Sequence, residues 1–319
     1  QVPSGNLTAY VFVMFLRANL MLLLTACIWG FGFIPQRIAM DHMGPYFFNA
    51  LRFLLGALSL LPICWILRKK KVETKAAGGG KQFWVFGGII GCILFGGAAL
   101  QQVGLQYTTA GKAGFITGLY LVIVPIIGFC LRQRIGWLTV CGALLATVGL
   151  YFLSVTEGFV IGEGDSLVLI GALFWAIHVQ IVGYASKRVD SLRLAVAQYT
   201  ICAGLNFMLA LSLEDISMAP VADAVGPILY AGLVSVGIAY TLQIVAQRHV
   251  DPSRAAILLS LEAVFAVFAG WLMLEETLSN RELSGCILMF TGMLLSQLPA
   301  LKRKKEESAD SSPSDRHSE

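Results

Sequence analysis

Residues 255–274 read AAILLSLEAVFAVFAGWLML, twenty positions at which every side chain is apolar or small except Glu262. A helix of that length covers about 30 Å, the thickness of a bilayer's hydrocarbon core. A carboxylate at such a depth costs about 2.5–3.5 kcal/mol on insertion scales, so it needs a partner or a wet cavity. The stretch therefore reads as a membrane helix carrying one intramembrane acid.

The rest of the chain repeats the pattern. Of 319 residues, 57% are hydrophobic and 13% charged, against about 25% charged in a soluble domain. Ten apolar spans follow one another, at about 18–40, 45–67, 83–105, 112–131, 135–154, 166–186, 192–213, 225–246, 254–274 and 282–300. They are near-continuously apolar, which favours helices over the alternating ten-residue strands of a barrel. The expected fold is an all-α polytopic membrane protein with ten transmembrane helices. Residues 1–17 form an N-terminal extension that lacks the basic start of a signal peptide. Residues 301–319, KRKKEESADSSPSDRHSE after Leu301, are expected to be a disordered cytoplasmic tail.

Lys and Arg set the orientation. With the N-terminus in the cytoplasm, nineteen of the twenty-three fall inside, and Arg37, Lys112 and Arg281 fall outside. Arg52 lies within a span. The expected location is the plasma membrane, a bacterial inner membrane, with both ends cytoplasmic. Loops on the outer side carry acids instead, including Glu157, Glu163, Asp165, Glu214, Asp215 and Asp223. The seven cysteines all fall in spans, without a close pair, and read as small core residues.

The spans divide into two similar units. LLLTACIWGFGFIPQRIA resembles SLVLIGALFWAIHVQIVGYA, aligning Trp29 with Trp175 at an offset of 146. LQQVGLQYTTAGKAGFITGLY resembles TLQIVAQRHVDPSRAAILLSLE at an offset of 142, which pairs Gln101 with Gln243, Lys112 with Arg254 and Tyr120 with Glu262. The units are 18–154 and 166–300, five helices each. An odd number of crossings puts the second unit into the membrane from the opposite side, giving two inverted five-helix repeats, as in secondary transporters.

At this point the chain resembles a known family, the drug/metabolite transporter superfamily in its ten-helix branch of two EamA domains. The resemblance is carried by ACIWGFGFIPQRIA, FNALRFLLGALSLLP, GLQYTTAGKAGFITGLYLVIVPIIGFCL and DPSRAAILLSLEAVFAVFAGWLMLEETLSNRELSGCILMFTGMLL, across most of residues 18–300. It implies a gradient-driven carrier, commonly an exporter of amino acids or related metabolites. One departure stands out: Ala263 occupies the place where the family usually has proline, so helix 9 is expected to run straighter.

Nine residues are the candidate substrate-binding set: Trp29, Arg52, Gln101, Tyr120, Trp175, His178, Tyr240, Gln243 and Glu262. Arg52 and Glu262 are the only formal charges deep in the spans. For each, the plainer reading is a charge neutralised by hydrogen bonds that lock helices together. The functional reading makes Glu262 a proton carrier or the partner of a substrate ammonium, and Arg52 a carboxylate clamp. Gln101 and Gln243 fall near opposite faces and read as two gates, or as interhelical hydrogen bonds. Mid-span Trp29 and Trp175 suit stacking or cation–π contact, or ordinary packing. His178 could titrate near neutrality, or be a satisfied bundle histidine. Tyr240 lies one turn before Gln243.

Gly87 and Gly91 form a GxxxG that lets helices approach closely. Pro35, Pro62 and Pro125 are expected to kink their helices, and Asp251 with Pro252 to start one. No HExxH, GxSxG, P-loop or CxxC is present, so an enzyme is not expected, and no cofactor, metal or nucleic acid is called for. The expected function is a secondary-active transporter exporting a small metabolite such as an amino acid or amine by alternating access. Its partners are that substrate, protons as coupling ion and the lipid bilayer, and the chain acts as a monomer or homodimer. The alternative is a receptor or scaffold that senses a small ligand without moving it.

Overall fold

The computed structural model describes residues 4–69, 80–154, 162–216, 219–274 and 279–310, and these form helices joined by short turns, with no strand among them. The helices are α1 (Ser4–Ala39), α2 (Pro45–Lys69), α3 (Gly80–Gly104), α4 (Ala110–Gly118), α5 (Tyr120–Cys130), α6 (Trp137–Ser154), α7 (Glu163–Ala185) and α8 (Ser191–Leu213). They continue with α9 (Ala219–Asp223), α10 (Val225–Leu229), a π-helical stretch (Tyr230–Tyr240), α11 (Thr241–Ala246), α12 (Pro252–Leu259), α13 (Glu262–Leu274) and α14 (Asn280–Asp310). Lys70, Lys71, Lys75, Glu157 and residues 311–319, which entered the topology and tail readings, lie outside the described residues.

Among the described residues eight helical segments are long and apolar enough to cross a membrane. They lie in α1, α2, α3, α4–α5, α7, α8, α10–α11 and α12–α13; Trp137–Leu153 is a shorter apolar helix. Such helices satisfy every backbone polar group internally, which is what hydrocarbon demands. The chain is a multi-pass membrane protein.

Several sequence-based boundaries shift. Helical backbone begins at Ser4, inside the expected 1–17 extension. It continues to Asp310, ten residues past the expected end of the last span. Lys302–Ala309 is rich in Lys, Arg and Glu, good helix formers that extend a helix already nucleated.

Two expected spans are not single helices. The fourth breaks at Leu119, where Leu119 N–H donates to Ile116 O at 3.2 Å and Val122 N–H to Leu119 O at 3.0 Å. The ninth breaks at Ser260–Leu261, with Leu261 N–H donating to Leu258 O at 3.3 Å and Ala263 N–H to Ser260 O at 3.1 Å. These are tight i→i+3 turns of the 3₁₀ kind. The expectation that Ala263 straightens helix 9 is therefore corrected: the break forms two residues earlier without proline. Tyr120 and Glu262 each open the half-helix that follows a break. Pro35, Pro62 and Pro125 instead sit inside unbroken helical segments.

Small residues set the packing. On α3, a Cβ at Gly87 would lie 2.9 Å from that of Ala197, and one at Gly91 2.7 Å from that of Ile201, so the GxxxG face seats α8. A close backbone approach joins α6 to α14. There a Cβ at Gly142 would lie 2.5 Å from Gly292 O, and one at Gly149 2.6 Å from Gly285 O. Of the cysteines, only Cys202 is buried; Cys92 and Cys130 are exposed on the helix surface, so the reading of all seven as core residues does not hold. Asp251 precedes Pro252 as expected, but its carboxylate makes no cap bond and pairs with Arg254 at 3.1 Å.

Candidate functional site

All nine candidate residues line one cavity in the middle of the bundle. Gln36, Phe33, Thr117, Val179, Ser235 and Leu259 complete its wall. Gln101 and Gln243, read from the sequence as two separate gates, both reach this single cavity.

One side is aromatic and centres on Tyr240, the last residue of the π-helical stretch. Its ring lies 4.5 Å from Trp29, 6.0 Å from Trp175 and 6.2 Å from His178, centroid to centroid. The π-helical winding widens the turn and changes which residues face the cavity, a distortion common at functional sites.

Arg52 forms the cationic corner and is 3% exposed. Its Nε–H donates to Asn49 Oδ1 at 2.8 Å and its Nη1–H to Gln36 Oε1 at 2.6 Å. Both amides are anchored from behind: Gln36 Nε2 donates to Gly32 O at 3.0 Å and Asn49 Nδ2 to Ala98 O at 3.1 Å. The guanidinium also lies 5.0 Å from the Phe53 ring centroid. Three helices are thus tied to one cation through neutral groups. Among the described residues no carboxylate lies within ion-pair distance of it. The locking role weighed for Arg52 is real, and a guanidinium has five N–H donors, so two protein bonds leave donors for a solute.

Glu262 forms the acidic corner, also 3% exposed. The Tyr120 hydroxyl faces the Glu262 carboxylate as its hydrogen-bonding neighbour, and neither Tyr120 Oη nor Glu262 Oε1 closes a well-formed hydrogen bond within the protein. A Cβ on Gly30 of α1 would lie 2.5 Å from Glu262 O, so glycine lets α1 lie directly against the start of α13. Four further polar atoms on the cavity residues lack a protein partner: Trp29 Nε1, Thr117 Oγ1, His178 Nδ1 and Gln243 Oε1. Leaving a buried polar group unpaired costs about 1–3 kcal/mol, and six such atoms lie around this one cavity. Other polar groups here are satisfied. Trp175 Nε1–H donates to Gln101 Oε1 at 2.8 Å, His178 Nε2 bonds Gln198 Oε1 at 2.9 Å, and Gln243 Nε2 donates to Gln247 Oε1 at 3.1 Å.

The sequence reading missed Gln36, Thr117 and Ser235. Gln36 had a usable signal: a long polar amide near the end of an apolar helix, sixteen residues from the arginine it holds. Thr117 and Ser235 had none, since small hydroxyls are common in membrane helices.

A multi-pass helical bundle around a central cavity is an architecture that membrane transporters share. The chain belongs to the EamA-like transporter family, whose sequence profile matches residues 16–155 and again 162–298. It is 33% identical over 290 residues to an uncharacterized transporter of Archaeoglobus fulgidus, covering 89% of this chain and 86% of that one. It is 25% identical over 291 residues to a probable amino-acid metabolite efflux pump of Salmonella typhimurium, covering 86% of this chain and 92% of that one. A solved structure titled only as a crystal structure of a protein superposes with a TM-score of 0.72 at 19% identity, over 89% of this chain and 98% of the other, which shows the shared fold. The names of these relatives indicate transport rather than catalysis.

Proposed function

We propose that the chain is a secondary-active exporter of a small metabolite, an amino acid or amine, that works by alternating access around the central cavity and is coupled to protons through Glu262. The observation that carries this reading is the placement of Glu262. It is a buried carboxylate at the first position after a helix break, in a cavity wall, with an unpartnered oxygen and no cation within ion-pair distance among the described residues. Such a group can take up a proton or an ammonium and exchange one for the other. Arg52, with spare donors, supplies the complementary site for a carboxylate.

In this reading ten membrane spans form two inverted five-helix halves, 18–154 and 166–300, with both ends cytoplasmic in the plasma membrane. Its support is threefold. The family profile matches twice along the chain. Breaks at Leu119 and Ser260–Leu261 fall at corresponding places, just before the aligned pair Tyr120 and Glu262. The glycines that join α6 to α14 pair in exchange, Gly142 with Gly292 and Gly149 with Gly285. One relative is named a probable amino-acid metabolite efflux pump, and the balance of basic residues supplies the orientation.

The test is flux in proteoliposomes under an imposed pH gradient, screening amino acids, amines and purines. Gradient-dependent movement of at least one solute is expected. Saturable binding with no flux of any of them would turn the assignment to a ligand sensor, and flux indifferent to the gradient would remove the proton.

A further inference from the structure

The two ends of the bundle are held differently. At the end where the α1–α2, α3–α4 and α8–α9 turns gather, two carboxylates from the second half of the chain grip the first half. Asp165, in the first turn of α7 and 2% exposed, takes Lys112 Nζ–H at 2.6 Å on Oδ2 and Thr108 Oγ1–H at 2.5 Å on Oδ1. Its own Gly162 N–H donates to it at 2.9 Å. Glu214, just past the end of α8, accepts Tyr46 N–H at 2.7 Å and Phe47 N–H at 2.8 Å, the free first-turn donors of α2. An acidic group there also opposes the positive end of that helix. Gly44 makes room for it, because a Cβ at that position would run into the Glu214 carboxylate.

At the other end no such grip exists among the described residues. The ion pair there, Arg254–Asp251, stays within one helix start. The bonds between the halves there are neutral and run through Gln180, which accepts Gln133 Nε2–H at 2.8 Å and donates its own Nε2–H to Val124 O at 2.7 Å. A cleft opens there, lined by Arg134, Lys187, Arg188 and Arg254 among others.

We propose that Asp165 and Glu214 form a two-point latch that keeps the first of these ends shut, so that both carboxylates must leave their first-half partners before the central cavity opens on that side. The inference rests on the carrier reading. Charge-assisted hydrogen bonds are the strong ones, and both contacts join segments that a rocking of one half against the other separates. The neutral link at the opposite end leaves that cleft free to widen. The latch thus sets the resting direction of the carrier: open at the basic cleft, closed at Gly44.

The test reads conformation, not flux, in the full chain with its native cysteines replaced. A Phe33→Cys reporter, buried in the cavity wall, is exposed to a membrane-impermeant maleimide from the side of Gly44. Spin labels at Arg134→Cys and Lys187→Cys report the width of the cleft. In Asp165→Asn/Glu214→Gln, labelling is expected to rise about tenfold or more, and the label-to-label distance to shorten. Unchanged labelling overturns the latch, and so does increased labelling at unchanged cleft width, which is local loosening. If that variant is not monodisperse, Lys112→Gln/Gly44→Ala dislodges the same contacts while keeping both carboxylates, with the same expected readings. A chain that moves solute but does not respond here loses the latch alone. One that moves no solute loses the carrier reading.

Discussion

Arg52→Met isolates the cost of the cation that ties α1, α2 and α3 together. Two buried bonds vanish, to Gln36 Oε1 and Asn49 Oδ1. The amides cannot rotate to compensate, because each would give up the carbonyl its nitrogen already holds, Gly32 O or Ala98 O. Hydrogen bonds to a charged group contribute about 1.5–3 kcal/mol each, so the pair is worth about 3–6 kcal/mol. Methionine is spared the desolvation of a buried cation, which puts the expected loss near the lower end, about 3 kcal/mol. At roughly 2–4 °C per kcal/mol for a large domain, the thermal midpoint in detergent should fall by about 6–12 °C. Gln36→Met alone breaks one of the two bonds and should cost about half as much. Combining the two should cost less than their sum, because the acceptor that Arg52→Met strands is then absent. A midpoint within about 2 °C of the parent for Arg52→Met would refute the anchoring role and leave Arg52 as a ligand group only.

Other consequences are more local. Gly91→Ala places a methyl 2.7 Å from Ile201 Cβ, whereas Gly88→Ala meets nothing within 4 Å; thermal unfolding should show a loss of about 1–3 kcal/mol for the first and almost none for the second. Arg132 holds φ 57° at the end of α5, where Gln133 N–H reaches Gly128 O and Arg132 N–H reaches Phe129 O, both at 2.9 Å. That is the C-terminal motif glycine prefers, so Arg132→Gly should raise stability by about 0.5–1 kcal/mol in the same melt. Tyr240→Leu removes the hub of the aromatic wall and should raise the KM of flux about tenfold, from the loss of roughly 1–1.5 kcal/mol of ring contact, with a smaller change in maximal rate.

The membrane class and the site were legible in the sequence for the same reason. Hydrocarbon tolerates few polar groups, so Arg52, Glu262, His178 and the mid-span tryptophans stood out against an apolar background, and all line the cavity. What could not be read are contacts between distant segments. Asp165 and Glu214 read only as acids of the outer loops, but Asp165 is buried against Lys112 and Glu214 caps α2. The breaks at Leu119 and Ser260–Leu261 also escaped, because proline was the only break signal sought and the prolines lie elsewhere. The glycines of α6 and α14 are seven residues apart on each helix, Gly142 with Gly149 and Gly285 with Gly292, and their pairing needs the three-dimensional register.

Glu262→Gln in proteoliposomes bears most directly on the carrier assignment. The amide keeps size and hydrogen-bonding capacity and loses only the charge and the proton. Solute accumulation driven by a pH gradient should disappear in this variant while the thermal midpoint stays near that of the parent. Parental flux with parental pH dependence in Glu262→Gln would contradict the account.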